Sequence, residues 1–273
     1  MPRVSVLLTT YNRPGMLREA IQSVLAQTYE DYELIVLDDN SSHPGQRDVL
    51  WEYRDRIVLY KSDVTAEERP ERVRYAVLAN TGLALARGEY VSYLCDDDLY
   101  LPNRLQAMVS RLDQGDCQVV YGSQRVLRGG EEQFTRYATA ILPKASMVVD
   151  HSSVMHTARV AAEVGGWDDD RAHWRHADAI FWDRLTAASH WFHPVHEVTD
   201  IHRYHAESVS EAGIPALGRT TMGWSLAAHG TAEDEEAEEE LRDRLAELLD
   251  EYGAESSQFS GANHNGPVHG QKM

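Results

Sequence analysis

Strand and helix alternate through the first 122 residues, and that alternation narrows what the chain can become more than any other feature. "VSVLLTTYNRP" (residues 4–14) is an apolar run that stops at polar residues. The doublets Met16/Leu17, Ala20/Ile21 and Val24/Leu25 follow, spaced by four, with Pro14 at or near the first position of the helix they predict. "YELIVLDDNSS" (32–42) is a second buried strand, a helical stretch covers about 46–53, and "RIVLY" (56–60) is a third strand. "ERVRYAVLANTGLALARG" (71–88) reads as a helix with a glycine where it stops. "EYVSYL" is the fourth strand, 102–112 a helix opened by proline, and "CQVVYG" (117–122) the fifth strand. Continuous apolar strands joined by helices predict an α/β fold, a Rossmann-like and mostly parallel sheet with helices on both faces. Ligands of such sheets sit beyond the carboxyl ends of the strands. "TTYN", "DDNSS" and "CDDD" all fall at those ends, so three separate loops converge on one crevice.

After Gly122 the rhythm changes. Short strand-like pieces (123–127, 133–137, 146–149) lead to "DHSSVMH", a short helix near 158–164, the aromatic loop "GGWDDDRAHWRH" and the helix "ADAIFWDRLTAAS". This half is expected to shape a second substrate's site within the same domain. Residues 231–253 read as an acidic amphipathic helix with Leu241, Leu245, Leu248, Leu249 and Tyr252 on one stripe, packed on its own subunit. Residues 254–273 read as a flexible tail.

The formal net charge is -18, and residues 231–251 hold eleven acidic and two basic residues, a balance of -9 that is half of the total. A nucleic-acid partner, which needs a basic face, is excluded; a nucleotide, which needs one local pocket, is not. No apolar run approaches the ~20 residues of a transmembrane segment. "VSVLL" is too short for a signal peptide, so a cytoplasmic protein is expected. Two cysteines, Cys95 and Cys117, fit a reducing compartment and are too few for a thiolate zinc site. The oligomeric state stays open.

Asp96, Asp97 and Asp98 end the fourth strand side by side. Their repulsion calls for a cation. Oxygen donors next to a charged ligand suit Mg²⁺ or Mn²⁺. The rival reading is an N-cap from Asp98 to the following helix. His151, His156, His202 and His205 match no zinc spacing. Trp167, Trp174 and Trp182 suit stacking on a sugar or plain core packing.

The stretches "VSVLLTTYNRP", "DYELIVLDDNSS" and "GEYVSYLCDDDLYLPNRL" resemble the nucleotide-binding half of a family 2 glycosyltransferase with the GT-A fold. "RYAVLAN", "CDDDLYLPNRL", "DHSSVMH" and "DAIFWDRL" resemble, in order, stretches of the spore-coat polysaccharide type of that family, over residues 1–205. The resemblance implies a single GT-A domain, with residues 1–122 binding a nucleotide-sugar and 123–230 binding the acceptor. It implies a metal-dependent, inverting transfer from a UDP- or dTDP-linked donor to a hydroxyl of a carbohydrate or other acceptor.

By the same resemblance Asp97 is the metal-binding carboxylate, because the general pattern Leu-Asp-x-Asp-Asp and the spore-coat pattern Thr-Asp-Asp-Asn both place it there. Cys95 stands where the first aspartate of the general pattern would be. Asp96 reaches the ribose or a metal-bound water, and the role of Asp98 stays open. Thr9, Tyr11, Asp39 and Arg74 fall on donor-binding positions, and Asp178 on the general base. The 150–156 segment, with His151 and His156, lines the acceptor side, where Trp174 also lies. "RYHAES" resembles a loop over the diphosphate, with His205 as a further metal ligand. Two rivals stand beside this reading. A nucleotidyltransferase usually carries a glycine-rich basic loop of which "TTYNRPGM" is a poor version. A non-catalytic nucleotide-sugar-binding relative is hinted at by Cys95.

Overall fold

The computed structural model describes residues 1–205, apart from Met147 and Arg175. The helix expected at 231–253 and the tail at 254–273 lie outside the described residues. In chain order the elements are β1 (Val4–Thr10), α1 (Pro14–Leu25), β2 (Tyr32–Asp38), α2 (Pro44–Glu52), β3 (Val58–Lys61), α3 (Arg74–Leu85), β4 (Tyr90–Cys95) and β5 (Leu99–Tyr100). Then come α4 (Arg104–Leu112), β6 (Val119–Arg128), β7 (Glu131–Arg136), β8 (Val154–Thr157), α5 (Ala158–Glu163), α6 (Ala177–Ala187) and β9 (Phe192–Tyr204). One sheet runs β3-β2-β1-β4-β8-β6-β9-β5, with β7 paired to β6.

β1 lies between β2 and β4, parallel to both, and β3 is parallel to β2. This quarter is as the alternation predicts. β8 then enters antiparallel to β4 and to β6, so the sheet is mixed and mostly parallel. β6 and β9 run parallel, and β5 pairs antiparallel with β9. The second half of the chain thus extends the same sheet.

Both faces are covered, which is why the strands read as unbroken apolar runs. Leu7, Ile35, Leu37 and Tyr93 pack with Ala76 and Ala79 of α3 and with Phe181 and Trp182 of α6. Val6, Leu8, Leu34, Val36 and Leu94 point the other way, against Leu17 and Ile21 of α1 and Leu105 and Met108 of α4. Each such Leu or Ile, fully buried, contributes about 1.5–3 kcal/mol relative to exposure. The doublets of α1 supply its buried Leu17, Ala20, Ile21 and Val24, with Pro14 inside its first turn.

Several expected boundaries differ. The helix of 71–88 ends at Leu85, and Ala86 is already extended. Gly88 is not its cap. It lies against β1, where an added Cβ would stand 2.6 Å from the backbone nitrogen of Ser5 and 2.8 Å from the carbonyl carbon of Val4. α4 starts at Arg104, not Pro102, because Pro102 and Asn103 form a turn between β5 and the helix. Residues 123–127 continue β6 rather than forming a separate strand. Ser146 and Val148 lie in turns, not in a strand.

β8 and β9 were not legible as strands because polar residues take part of their buried positions, among them His156, Thr199, Asp200, His202 and Arg203. Arg104 of α4 is fully buried against Asp200 of β9 at 2.7 Å, and Gln124 of β6 donates to the other Asp200 oxygen at 2.6 Å. The Arg104 guanidinium also lies 4.1 Å over the Tyr100 ring. These pairs replace the apolar alternation that marks a strand in sequence. No helix among the described residues is long and apolar enough to cross a membrane.

Gly88→Ala is expected to cost about 1–3 kcal/mol, since backbone atoms cannot yield as a side chain would. The check is a lower urea midpoint at unchanged slope.

Candidate active site

β1, β2 and β4 end at the same edge of the sheet, and two asparagines turn the chain there. Asn12 and Asn40 adopt positive φ, 54° and 59°, a region where asparagine is enriched. The Asn12 carbonyl accepts from the amides of Ser42 and His43 at 2.8 and 3.0 Å, which ties the β1 loop to the β2 loop.

Each aspartate of "CDDD" meets different partners. Asp96 accepts from the Thr10 hydroxyl at 2.7 Å, the Tyr11 amide at 3.2 Å and Arg13 at 2.9 Å. Burial raises its carboxyl above the usual range, with Arg13 pulling the other way. Asp97 shares one oxygen between Arg13 and Nε2 of His205, each at 2.9 Å. Burial would raise this carboxyl too, but Arg13 and His205 outweigh it and hold it well below the usual carboxylate range. Asp97 and His205 each keep 17% of their side-chain surface exposed. Asp98 does not cap the following helix, as the rival reading had it. It accepts from the Arg203 amide at 3.1 Å and pairs with His202 at 3.0 Å.

His202 also faces Asp150, at 3.9 Å. The ligand atoms of Asp98, Asp150 and His202 lie within 4.8 Å of one another, a candidate metal cluster. Burial would lower the His202 pKa, but Asp98 and Asp150 raise it to about 10. His202 thus stands between these two carboxylates. Arg203 closes the floor by donating to the Asp97 carbonyl at 2.6 Å and pairing with Glu19 of α1.

The second loop forms its own pocket. Asp39 is buried between Arg69, at 2.5 Å, and Arg74, at 2.7 Å, and Ser62 donates to it at 3.2 Å. The Arg69 guanidinium lies 3.6 Å over the Tyr11 ring. The structure thus brings Tyr11, Asp39 and Arg74 together and adds Arg69. Thr9 lines a small cavity with Tyr75, His151 and Trp167.

On the other side, Asp178 sits in the first turn of α6, where one oxygen accepts from the Ala179 amide at 2.8 Å. Burial raises its carboxyl, while His151 lowers it and Asp150 raises it. His151 lies 3.0 Å from the Cys95 sulfur and stacks on Tyr75 at 6.0 Å. Burial, with Asp97 and Asp98, pushes the Cys95 thiol well up, so it stays protonated. His156 is not on the acceptor side. It is fully buried, bonded to the Tyr93 hydroxyl and the Thr157 carbonyl at 2.8 Å each, and burial lowers its pKa to about 4. Trp167 and Trp182 are core residues, whereas Trp174 is 39% exposed at the end of a 3-10 turn.

Sequence reasoning missed Arg13, Arg69 and Arg203. Arg13 stood in view inside "TTYNRP"; Arg69 and Arg203 carried no pattern, because their targets are 30 and more than 100 residues away in sequence.

The model for glycosyl transferase family 2 matches residues 5–176. The chain belongs to that family. It is 41% identical to Protein CgeD of Bacillus subtilis (strain 168) over 210 residues, 72% of the chain and 49% of CgeD. It thus spans about half the length of that relative. Over 124 residues, 45% of the chain and 46% of the relative, it is 30% identical to the Escherichia coli UDP-Glc:alpha-D-GlcNAc-diphosphoundecaprenol beta-1,3-glucosyltransferase WfgD. Its fold is similar to that of S. aureus TarS 1-349 in complex with UDP-GlcNAc, with a TM-score of 0.60 at 15% identity, covering 76% of the chain and 60% of TarS 1-349. It is also similar to the mannosyltransferase PcManGT from Pyrobaculum calidifontis in complex with GDP-Man and Mn2+, with a TM-score of 0.54 at 17% identity, covering 76% and 59%. These likenesses carry the family and the GT-A fold, not the spore-coat type in particular.

His202 gives the protein a pH signature. Its unfolded value is near 6.5 and its folded value about 10, so the stability it adds is complete below 6.5 and lost as pH rises through 10. In EDTA, the gap in urea midpoint between wild type and His202→Gln is expected to narrow across that interval.

Proposed function

We propose that the crevice transfers a sugar from a UDP- or dTDP-linked donor to a hydroxyl of a carbohydrate or other acceptor, with inversion and with Mn²⁺ or Mg²⁺. The observation that carries this reading is Asp97, a carboxylate held ionised at a partly open edge with an imidazole 2.9 Å away. Oxygen and imidazole donors together suit Mn²⁺ better than Mg²⁺. The deeper cluster of Asp98, Asp150 and His202 is less open to a diphosphate, since Asp98 is 2% exposed and accepts from the Arg203 amide. Two of these proteins support a uridine donor for themselves, WfgD by its name and TarS by its bound UDP-GlcNAc. PcManGT, with its Mn2+, supports the metal.

The roles follow from position. Bound at Asp97 and His205, the cation would neutralise charge on the departing diphosphate. Arg74 and Asp39, with Tyr11 and Arg69, form the nucleobase pocket; Asp96 orders the loop through Thr10, Tyr11 and Arg13. Asp178 takes the proton of the acceptor hydroxyl as that oxygen bonds to the anomeric carbon and the carbon–phosphate oxygen bond breaks. A base raised by burial is suited to accept that proton near neutral pH. His151 and Trp174 border the acceptor side. A nucleotidyltransferase finds no support in this site, because the β1–α1 turn offers Arg13 to carboxylates rather than a glycine-rich phosphate loop.

Calorimetry with UDP and dTDP, in Mn²⁺ and then in EDTA, tests the metal. Asp97→Ala is expected to abolish metal-dependent binding, while His202→Gln keeps it. The reverse pattern moves the ion to the deeper cluster, and binding indifferent to EDTA leaves the non-catalytic relative. Asp178→Asn is expected to bind as wild type and to lose about 100-fold or more in transfer. Near-normal transfer by that variant removes Asp178 as the base.

A further inference from the structure

Residues 133–149 contain no Asp or Glu, in a chain that carries 44 of them among 273 residues. The stretch runs from β7 to Asp150, at the edge of the crevice, and holds two cations, Arg136 and Lys144. The proposed reaction leaves both of them unused.

Arg136 is held in place by neutral groups. Half-buried, it donates through one guanidinium nitrogen to the side-chain oxygen of Gln124 at 2.9 Å and through the other to the Tyr204 hydroxyl at 3.1 Å. Among the described residues no carboxylate lies within ion-pair distance of it. The Arg128 guanidinium adds a second positive charge, 5.3 Å over the Tyr204 ring. The amide nitrogen of Gln124 is 3.5 Å from Asp150, the neighbour of His151, so Arg136 adjoins the acceptor side. A guanidinium oriented this way offers its remaining N–H groups to a phosphate.

The loop beyond Arg136 is apolar, exposed and fixed. The Ala138 amide donates to the Ser123 hydroxyl at 3.0 Å, and the Ala140 carbonyl accepts from the Tyr121 hydroxyl at 2.7 Å. Leu142 and Phe192 exchange two backbone bonds, at 2.9 and 3.1 Å, which brings Trp191 next to the loop. Yet Tyr137, Ile141, Val148 and Trp191 are 49–70% exposed. A single exposed apolar residue needs no explanation, but several on one tethered stretch mark a contact surface. Lys144 is exposed among them and favours an anionic partner.

We infer that the acceptor is a phosphate-linked lipid: Arg136 meets its phosphate, and residues 137–148 with Trp191 receive its hydrocarbon chain. A cation without a carboxylate beside an acid-free apolar surface selects an anionic amphiphile over a free sugar, which offers neither charge nor chain. This deepens the proposed transfer and rests on it for the acceptor role.

Calorimetry on the full chain, with UDP and Mn²⁺ bound, compares three probes below their micelle concentrations: octyl phosphate, inorganic phosphate and octyl glucoside. Octyl phosphate is expected to bind at least about tenfold more tightly than either of the others. Arg136→Gln is expected to reduce octyl phosphate to the affinity of octyl glucoside. Ile141→Ser with Val148→Ser, both on the surface, is expected to reduce it to that of phosphate, and UDP affinity stays unchanged in both variants. Amide NMR signals of Arg136 and His151 are expected to move with octyl phosphate, along with those of residues 137–148. Three probes of equal affinity, or variants that bind as wild type does, overturn the inference. So does a loss of UDP binding in Arg136→Gln, which assigns the guanidinium to the donor diphosphate. Signals that move only at 137–148 mark a loop that rests on lipid away from the crevice, and overturn it too. A wild-type protein that does not bind UDP with Mn²⁺ overturns the proposed function and the acceptor role with it, while the same titration in EDTA still reports on the amphiphile site.

Discussion

Three neighbouring carboxylates end β4, and the structure around them is arranged so that none stands without positive charge or a donor. Two unit charges about 4 Å apart repel by about 4 kcal/mol at an effective dielectric near 20. Arg13 comes from the β1–α1 turn to serve Asp96 and Asp97. His202, the Arg203 amide and His205 come from the end of β9 to serve Asp98 and Asp97. β9 therefore has to run far enough along the sheet to reach this edge. The buried Arg104–Asp200 pair ties it to α4 on the way, and Gly122 of β6 lets Thr199 approach where a Cβ would stand 2.0 Å from its hydroxyl.

The Asp39 pocket repeats the principle with opposite balance. Asp39 is one carboxylate between two arginines, Arg69 and Arg74, so the pocket carries a net positive charge. Buried ion pairs of this kind seldom stabilise a fold more than apolar side chains would. Their presence at the mouth of a crevice fits recognition of an anionic ligand better than stability. The two sides are joined through α3, whose Arg74 pairs with Asp39 and whose Asn80 bonds the backbone of Trp167.

Much of the fold was legible in the sequence. The α1 doublets, the apolar runs of β1, β2 and β4 and their polar ends follow from sheet and helix periodicity, and they located the crevice. β8 and β9 were hidden. Their buried positions include His156, Thr199, Asp200, His202 and Arg203, whose burial is offset by partners distant in sequence. The same cause misplaced His156, which the resemblance set on the acceptor side and which is a core residue bonded to Tyr93. Gly88 was legible as special, but its reason was not: it marks a close approach to β1, not a helix cap.

By itself the sequence determined the layered α/β plan, the edge at which the polar loops meet and the residue types present there, because periodicity and turn chemistry are local. Only the tertiary structure decided which carboxylate does what. Asp96, Asp97 and Asp98 are identical in chemistry and adjacent in sequence. They differ in exposure and in whether Arg13, His205 or His202 faces them, and those partners arrive from residues 83 to 108 positions away. Coulombic pairing depends on distance in space, and no local pattern in the chain encodes it.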